Sequence, residues 1–158
     1  VKRVATPGTF DPITNGHLEI ITRACGLADE VIVAVAPSEK KHPVLSLEMR
    51  IQLVNKACAH LPQVRVMPLN GMLVDFVRDN EIDAVVKGLR AITDFEYEFQ
   101  QTALNMAMDG SIETVFIMSS LEYMYLSSSV VREIAQLGGN FEKFVPPCVV
   151  EPLREAFI

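Results

Sequence analysis

A single α/β domain built on a five-stranded parallel sheet is the fold class this sequence predicts, and three observations predict it. Strand-like and helix-like apolar periods alternate along the whole chain. The strand-like runs are apolar at consecutive positions, as in strands buried on both faces by helices. The 158 residues, 49% hydrophobic and 22% charged, suit one globular domain spanning 1–158. Right-handed crossovers then give a Rossmann-like, doubly wound sheet.

The β-rich runs are Arg3–Thr6, Val31–Ala36, Val64–Met67, Ala84–Val86 and Val115–Met118. Between the first two, Leu18, Ile21, Cys25 and Ala28 recur at helical spacing, and Leu47, Ile51, Val54 and Cys58 do the same in the next interval. A third, shorter helix is expected over Met72–Asp79. A fourth is expected over Asp94–Met108, with Phe95, Phe99, Thr102 and Met106 on one face. Ser127–Ser129 offer capping hydroxyls to a fifth helix that stops at Gly138-Gly139. Pro146-Pro147 precedes a last helical stretch ending at Ile158. The methionines 106, 108, 118 and 124 are expected as core or pocket lining, and His60 and His42 as surface residues.

Fourteen basic against twenty acidic residues leave a net charge of −6. That balance argues against a nucleic-acid or anionic-membrane surface, but a few local donors still suffice for a small anion. No run reaches the length of a membrane span, and Val1-Lys2-Arg3-Val4 does not look like a secretory leader. Cys25, Cys58 and Cys148 are odd in number and widely spaced, as expected of reduced packing residues in a cytoplasmic protein.

In open parallel sheets the ligand lies beyond the carboxyl ends of the strands, so the loops after strands carry the functional reading. After the first strand comes Thr6-Pro7-Gly8-Thr9-Phe10-Asp11-Pro12-Ile13-Thr14-Asn15-Gly16-His17. This segment is neither a GxGxxG fingerprint nor a Walker A loop. Its small residues let backbone approach a phosphate, and Thr14 is placed to cap a helix beginning near His17. After the second strand come Lys40, Lys41 and His42. After the fourth comes Lys87-Gly88-Leu89-Arg90, whose two cations suit an anion: arginine as a fork, lysine as a point charge. After the fifth, Tyr123-Met124-Tyr125-Leu126-Ser127-Ser128-Ser129 brings hydroxyls to a helix start, fit for capping or for holding phosphate.

Thr14-x-Gly16-His17 after Pro-Gly-Thr-Phe-Asp-Pro resembles the His-x-Gly-His signature of a nucleotidyltransferase superfamily, with Thr14 replacing the first histidine. Together the four loops, in order and spacing over essentially the whole chain, resemble the phosphopantetheine adenylyltransferases. The resemblance implies adenylyl transfer from ATP to 4′-phosphopantetheine with Mg²⁺, giving dephospho-coenzyme A and pyrophosphate, in a cytoplasmic homohexamer open to feedback binding by coenzyme A. It implies catalytic roles for His17, Thr9, Lys41 and Arg90. His17 would stabilise the transition state, Thr9 would contact both substrates, and Lys41 would hold the acceptor phosphate. Contacts to ATP would come from Thr9, Phe10, His17, Gly88, Leu89, Arg90, Glu98 and the run Tyr123, Met124, Tyr125, Leu126, Ser127, Ser128 and Ser129. Contacts to phosphopantetheine would come from Thr9, Lys41, Leu73 and Lys87, and no protein cage is expected for the metal. Three positions depart from the family pattern: Lys87 where arginine is frequent, Thr6 where tyrosine is common, and Tyr123 where tryptophan is frequent.

The reaction expected is an in-line displacement at the α-phosphorus, which needs positioned anions and neutralised charge but no covalent intermediate. Transfer to nicotinamide mononucleotide or glycerol 3-phosphate is the nearest alternative; within the resemblance, the segment Gly88-Leu89-Arg90-x-x-x-Asp94-Phe95-Glu96-Tyr97-Glu98 and Leu73 favour phosphopantetheine. A tRNA synthetase is not expected, because tRNA-binding domains would need more chain than these 158 residues. A catalytically silent nucleotide sensor would need neither His17 nor Lys41.

Overall fold

The computed structural model describes residues 2–90 and 92–158; Val1, within the opening segment considered above, and Ala91 lie outside the described residues. Five strands form one parallel sheet: β1 (Arg3–Gly8), β2 (Glu30–Val35), β3 (Val64–Pro68), β4 (Ala84–Leu89) and β5 (Glu113–Met118), in the order β3-β2-β1-β4-β5. The helices between and after them are α1 (Asn15–Cys25), α2 (Leu47–Ala57), α3 (Leu73–Asp79), α4 (Ile92–Met108), α5 (Ser128–Gln136) and α6 (Val150–Ala156). The expected five-stranded, doubly wound α/β architecture is therefore present.

Consecutive strand residues face opposite sides of the sheet, and both sides are covered. On one side Val31, Val33, Val35 and Val86 pack with Ile21 of α1, Leu53 of α2, Val131 of α5 and Leu153 of α6. On the other, Ala5, Ile32, Ala34 and Val85 pack with Val74, Phe76 and Val77 of α3. Burial on both faces is why β2 reads as a near-continuous apolar run.

The chain winds outward from β1 to β3, then returns to β4 on the other side of β1. Strands β1 and β4 thus flank the switch point, where doubly wound sheets open a crevice. Pairing shows the opening directly. All six residues of β1 pair with β2, but only Val4 with Ala84 and Ala5 with Val85 pair across β1 and β4. Beyond that rung the two strands diverge, and Thr6, 4% exposed, sits at the fork with its hydroxyl lacking a hydrogen-bond partner.

The structure corrects several local expectations. Strand β4 continues through Lys87 and Gly88 to Leu89, because β5 supplies backbone partners up to Leu89–Met118. Helix α1 begins at Asn15, two residues before the expected start near His17, while Thr14 caps it as expected. His60 follows α2 in a turn and is exposed, as expected of a surface residue. Met106, Met108 and Met118 are not core or cleft lining: each is about half exposed or more. They lie on the outer side of α4 and on β5, an edge strand with no neighbour beyond it. Phe95 and Phe99 share that exposed side of α4, with rings stacked at 5.8 Å. No helix among the described residues is long and apolar enough to cross a membrane.

Candidate active site

A cleft of about 420 Å³ opens at the carboxyl ends of β1 and β4, walled by the starts of α1 and α5. It collects Thr9, Phe10, His17, Lys41, Lys87, Gly88, Arg90, Glu98 and Leu126 through Ser129 from the residues expected at the site. Leu73, Leu89, Tyr123, Met124 and Tyr125 do not line it. Leu73 packs on the α3 side of the sheet, Tyr123 lines a shallow groove beside α1, and Tyr125 is largely exposed. Lys41 reaches the cleft whereas Lys40 does not, and His42, expected as a surface residue, is exposed but lines the same wall.

The Thr-x-Gly-His spacing acquires a physical meaning here. Thr14 is the N-cap of α1, and His17 stands at the third helical position. The backbone N–H of His17 donates to Thr14 Oγ1 at 3.3 Å, and the backbone N–H of Thr14 donates to His17 Nδ1 at 2.9 Å. This is a reciprocal capping box in which the imidazole takes the part usually played by a carboxylate or amide. An Nδ1 that accepts carries no hydrogen, so the proton of the neutral ring resides on Nε2 and is available to the cleft. Withdrawal from solvent, reinforced by the nearby positive charge of Arg90, lowers the His17 pKa from 6.5 to about 4. His17 is therefore a neutral, oriented donor near pH 7.

Two glycines allow the walls to close around this ring. A Cβ on Gly8 would come within 3.0 Å of the Phe10 ring, which lies 5.0 Å from the imidazole. A Cβ on Gly88 would lie 2.8 Å from Ile20 Cγ1 on α1. Phe10 itself has φ 52, a left-handed conformation that turns its ring back over the end of β1.

Among the described residues, four cations line the cleft: Lys41, Lys87, Arg90 and Arg132. Lys87 Nζ lies 2.6 Å from Glu98 Oε2. Arg90 Nη1 donates to Leu126 O at 2.9 Å, tying the end of β4 to the serine loop. Ser127 Oγ accepts from Val130 N–H as the N-cap of α5, and Ser128 Oγ donates to Pro12 O at 2.8 Å. Arg132 was not anticipated. Its guanidinium donates to Asp11 O at 2.7 Å and to Ser129 Oγ at 3.3 Å. Its position three residues beyond Ser129 puts it one helical turn below the serine loop, the signal that would have revealed it.

Among the described residues, both carboxylates that line the cleft are engaged. Asp11 accepts the backbone N–H groups of Val44 and Leu45 at 2.9 Å each, and Glu98 pairs with Lys87. No group of three His, Cys, Asp or Glu among the described residues is arranged to hold a metal ion. A recessed site with four cations, several hydroxyls and an oriented neutral donor is built for polyanions undergoing charge development, and phosphate esters are such ligands.

Comparison with known proteins agrees with that chemistry. Residues 5–134 match the cytidylyltransferase-like family, and the chain belongs to it. The crystal structure of a bifunctional NMN adenylyltransferase/ADP ribose pyrophosphatase from Francisella tularensis shares the fold, with a TM-score of 0.65 at 16% identity over 91% of this chain and 44% of that one. At the level of sequence, a phosphopantetheine adenylyltransferase from Symbiobacterium thermophilum is 48% identical over 98% of this chain and 96% of its own length. Another, from Nautilia profundicola, is 46% identical over 93% and 96%. The chain thus belongs, within that larger family, to the phosphopantetheine adenylyltransferases.

Proposed function

We propose that this protein, as a single nucleotidyltransferase domain over 1–158, transfers the adenylyl group of ATP to 4′-phosphopantetheine, releasing pyrophosphate and forming dephospho-coenzyme A. The carrying observation is the capped, neutral His17 among four cations at the β1/β4 switch point. A phosphate oxygen of the acceptor attacks the α-phosphorus of ATP, and the bond from that phosphorus to the pyrophosphate oxygen breaks. His17 Nε2–H donates to the α-phosphate as charge grows on its oxygens. Thr9 places the acceptor, and Lys41 and Lys87 hold its phosphate. Arg90, Ser127, Ser128 and Ser129 hold the β- and γ-phosphates, with Phe10 and Leu126 beside the nucleotide.

Mg²⁺ fits this donor set as an ion carried by the triphosphate, because hydroxyls and water remain for it while Asp11 and Glu98 are committed elsewhere. Bound there, it offsets charge on the phosphates. Coenzyme A contains the same pantetheine and adenine nucleotide parts as the product, which supports feedback binding in the same cleft. The exposed apolar side of α4 and the edge strand β5 support assembly of identical subunits, as a homohexamer. Three unpaired cysteines support a cytoplasmic location.

The test is pyrophosphate release with ATP and Mg²⁺, with dephospho-coenzyme A followed by mass. Parallel reactions contain nicotinamide mononucleotide, glycerol 3-phosphate or no acceptor. Turnover confined to phosphopantetheine is the expected result, and His17→Ala should lower kcat by about 10²–10³-fold with a smaller effect on ATP binding. Turnover with a different acceptor would overturn the substrate assignment. Near-normal kcat in His17→Ala would overturn the role of that ring.

A further inference from the structure

The side chain of Arg50, on α2, is buried to 2% exposure and touches none of the cleft's open space. All its hydrogen bonds go to backbone carbonyls of two loops. Nη1 donates to Thr9 O at 2.9 Å and Ala36 O at 2.6 Å, Nη2 to Pro37 O at 2.9 Å, and Nε to Leu45 O at 3.1 Å. The first carbonyl belongs to Thr9 itself. The others bracket residues 38–44, which carry Lys41.

That bracketed segment is bent at both ends of its short 3-10 turn, Glu39–Lys41. Ser38 and His42 flank the turn with φ 52 and φ 49, left-handed conformations disfavoured for side chains other than glycine. Such backbone persists only where its surroundings over-determine it. The surroundings here are the Arg50 fork and the Asp11 carboxylate, which receives the N–H groups of Val44 and Leu45. One consequence is a direct side-chain link between the two loops: Ser38 Oγ lies 2.9 Å from Thr9 Oγ1.

We infer that Arg50 is a positioning residue for the acceptor half of the site, setting Thr9 and the Lys41 loop against each other through their backbones and the Ser38–Thr9 contact. The inference rests on the roles proposed above for Thr9 and Lys41. A planar guanidinium with donors pointing three ways spans the two loops at once. A lysine ammonium concentrates its donors at one point, and methionine offers none. The nucleotide half, built on Arg90 and the serine loop, receives no bond from Arg50.

Arg50→Met and Arg50→Lys, with Ser38→Ala as a variant that leaves the buried arginine intact, test this. A loop displacement of about 1 Å costs on the order of 10²-fold in rate. Folded Arg50→Met should therefore lose about that much in kcat/KM for phosphopantetheine while the ATP dissociation constant stays within about threefold. Arg50→Lys should fall between it and the parent, and Ser38→Ala should show the same acceptor-selective loss at smaller size. Amide hydrogen exchange reads the same point without substrate: faster exchange confined to 9–11 and 36–45, with 126–132 unchanged.

Loss of ATP binding and acceptor turnover together, in step with the folded fraction, would reduce Arg50 to a general stabiliser and overturn the proposal. Parental kinetics and exchange in Arg50→Met would overturn it as well. If Arg50→Met does not fold, parental kinetics in Ser38→Ala would count against the proposal and an acceptor-selective loss for it. A parent protein inert toward phosphopantetheine would sink the assigned reaction, and the exchange pattern would still decide whether Arg50 couples these loops.

Discussion

Acid titration of His17 puts the capping-box assignment at risk. The ring has its proton on Nε2 because Nδ1 accepts from the Thr14 backbone, and withdrawal from solvent with Arg90 holds the pKa at about 4. At pH 5.5 a histidine of pKa about 6.5 is about nine-tenths protonated, whereas one of pKa about 4 is about 3% protonated. The chain has only 3 histidines, so a side-chain NMR titration can follow the His17 ring by itself. His17 should keep its neutral shifts well below pH 5.5, with Nδ1 showing the signature of an unprotonated acceptor. Removing the cation with Arg90→Met should move its midpoint upward.

The same shift makes a stability statement. Because the folded pKa lies below the unfolded value, the folded state binds fewer protons between about pH 6.5 and about 4. Stability is therefore complete above that window and declines as acid is added through it, by at most about 3–4 kcal/mol at about 1.4 kcal/mol per pH unit. His17→Asn should flatten that part of the denaturation profile. A midpoint near 6.5, or a proton found on Nδ1, would refute both the cap and the donor role derived from it.

Other expectations follow from the packing and the charges. Gly88→Ala forces a Cβ to within 2.8 Å of Ile20 Cγ1, so it should cost about 1–3 kcal/mol in chemical denaturation and weaken ATP binding. Lys87→Met removes the cation paired with Glu98 and leaves a carboxylate facing an incoming phosphate, so KM for the acceptor should rise about tenfold or more. An unchanged KM would take Lys87 out of the acceptor site. Phe99→Glu places a charge on the exposed apolar side of α4, 61% exposed at that residue in the single chain. Sedimentation should show smaller species for this variant, and an unchanged assembly would move the subunit contact to another face.

Much of the fold was legible because its signals are local. The alternation of periods located five strands and six helices, and strands buried on both faces announced helices on both sides. Boundaries were less visible. Nothing within Val86–Leu89 says that β4 runs past Lys87, because the partners that extend it lie on β5. The outward side of α4 was equally hidden, since apolar residues at helical spacing look the same whether a helix faces a core or an exposed edge.

By itself the sequence determined the fold class, the loops that face a ligand and the chemical character of their side chains. These depend on residue type and near-neighbour spacing alone, as in Thr14-x-Gly16-His17. Tertiary structure alone decided which cations meet in one cleft, which tautomer His17 holds and what Arg50 does. Arg50 reaches Thr9 across 41 residues and Arg132 reaches Asp11 across 121, so their roles exist only once the sheet has brought those segments together. Spacing along the chain carries no information about such contacts. They arise where separated strands converge, and the divergence of β1 from β4 beyond Ala5 and Val85 opens the space that they surround.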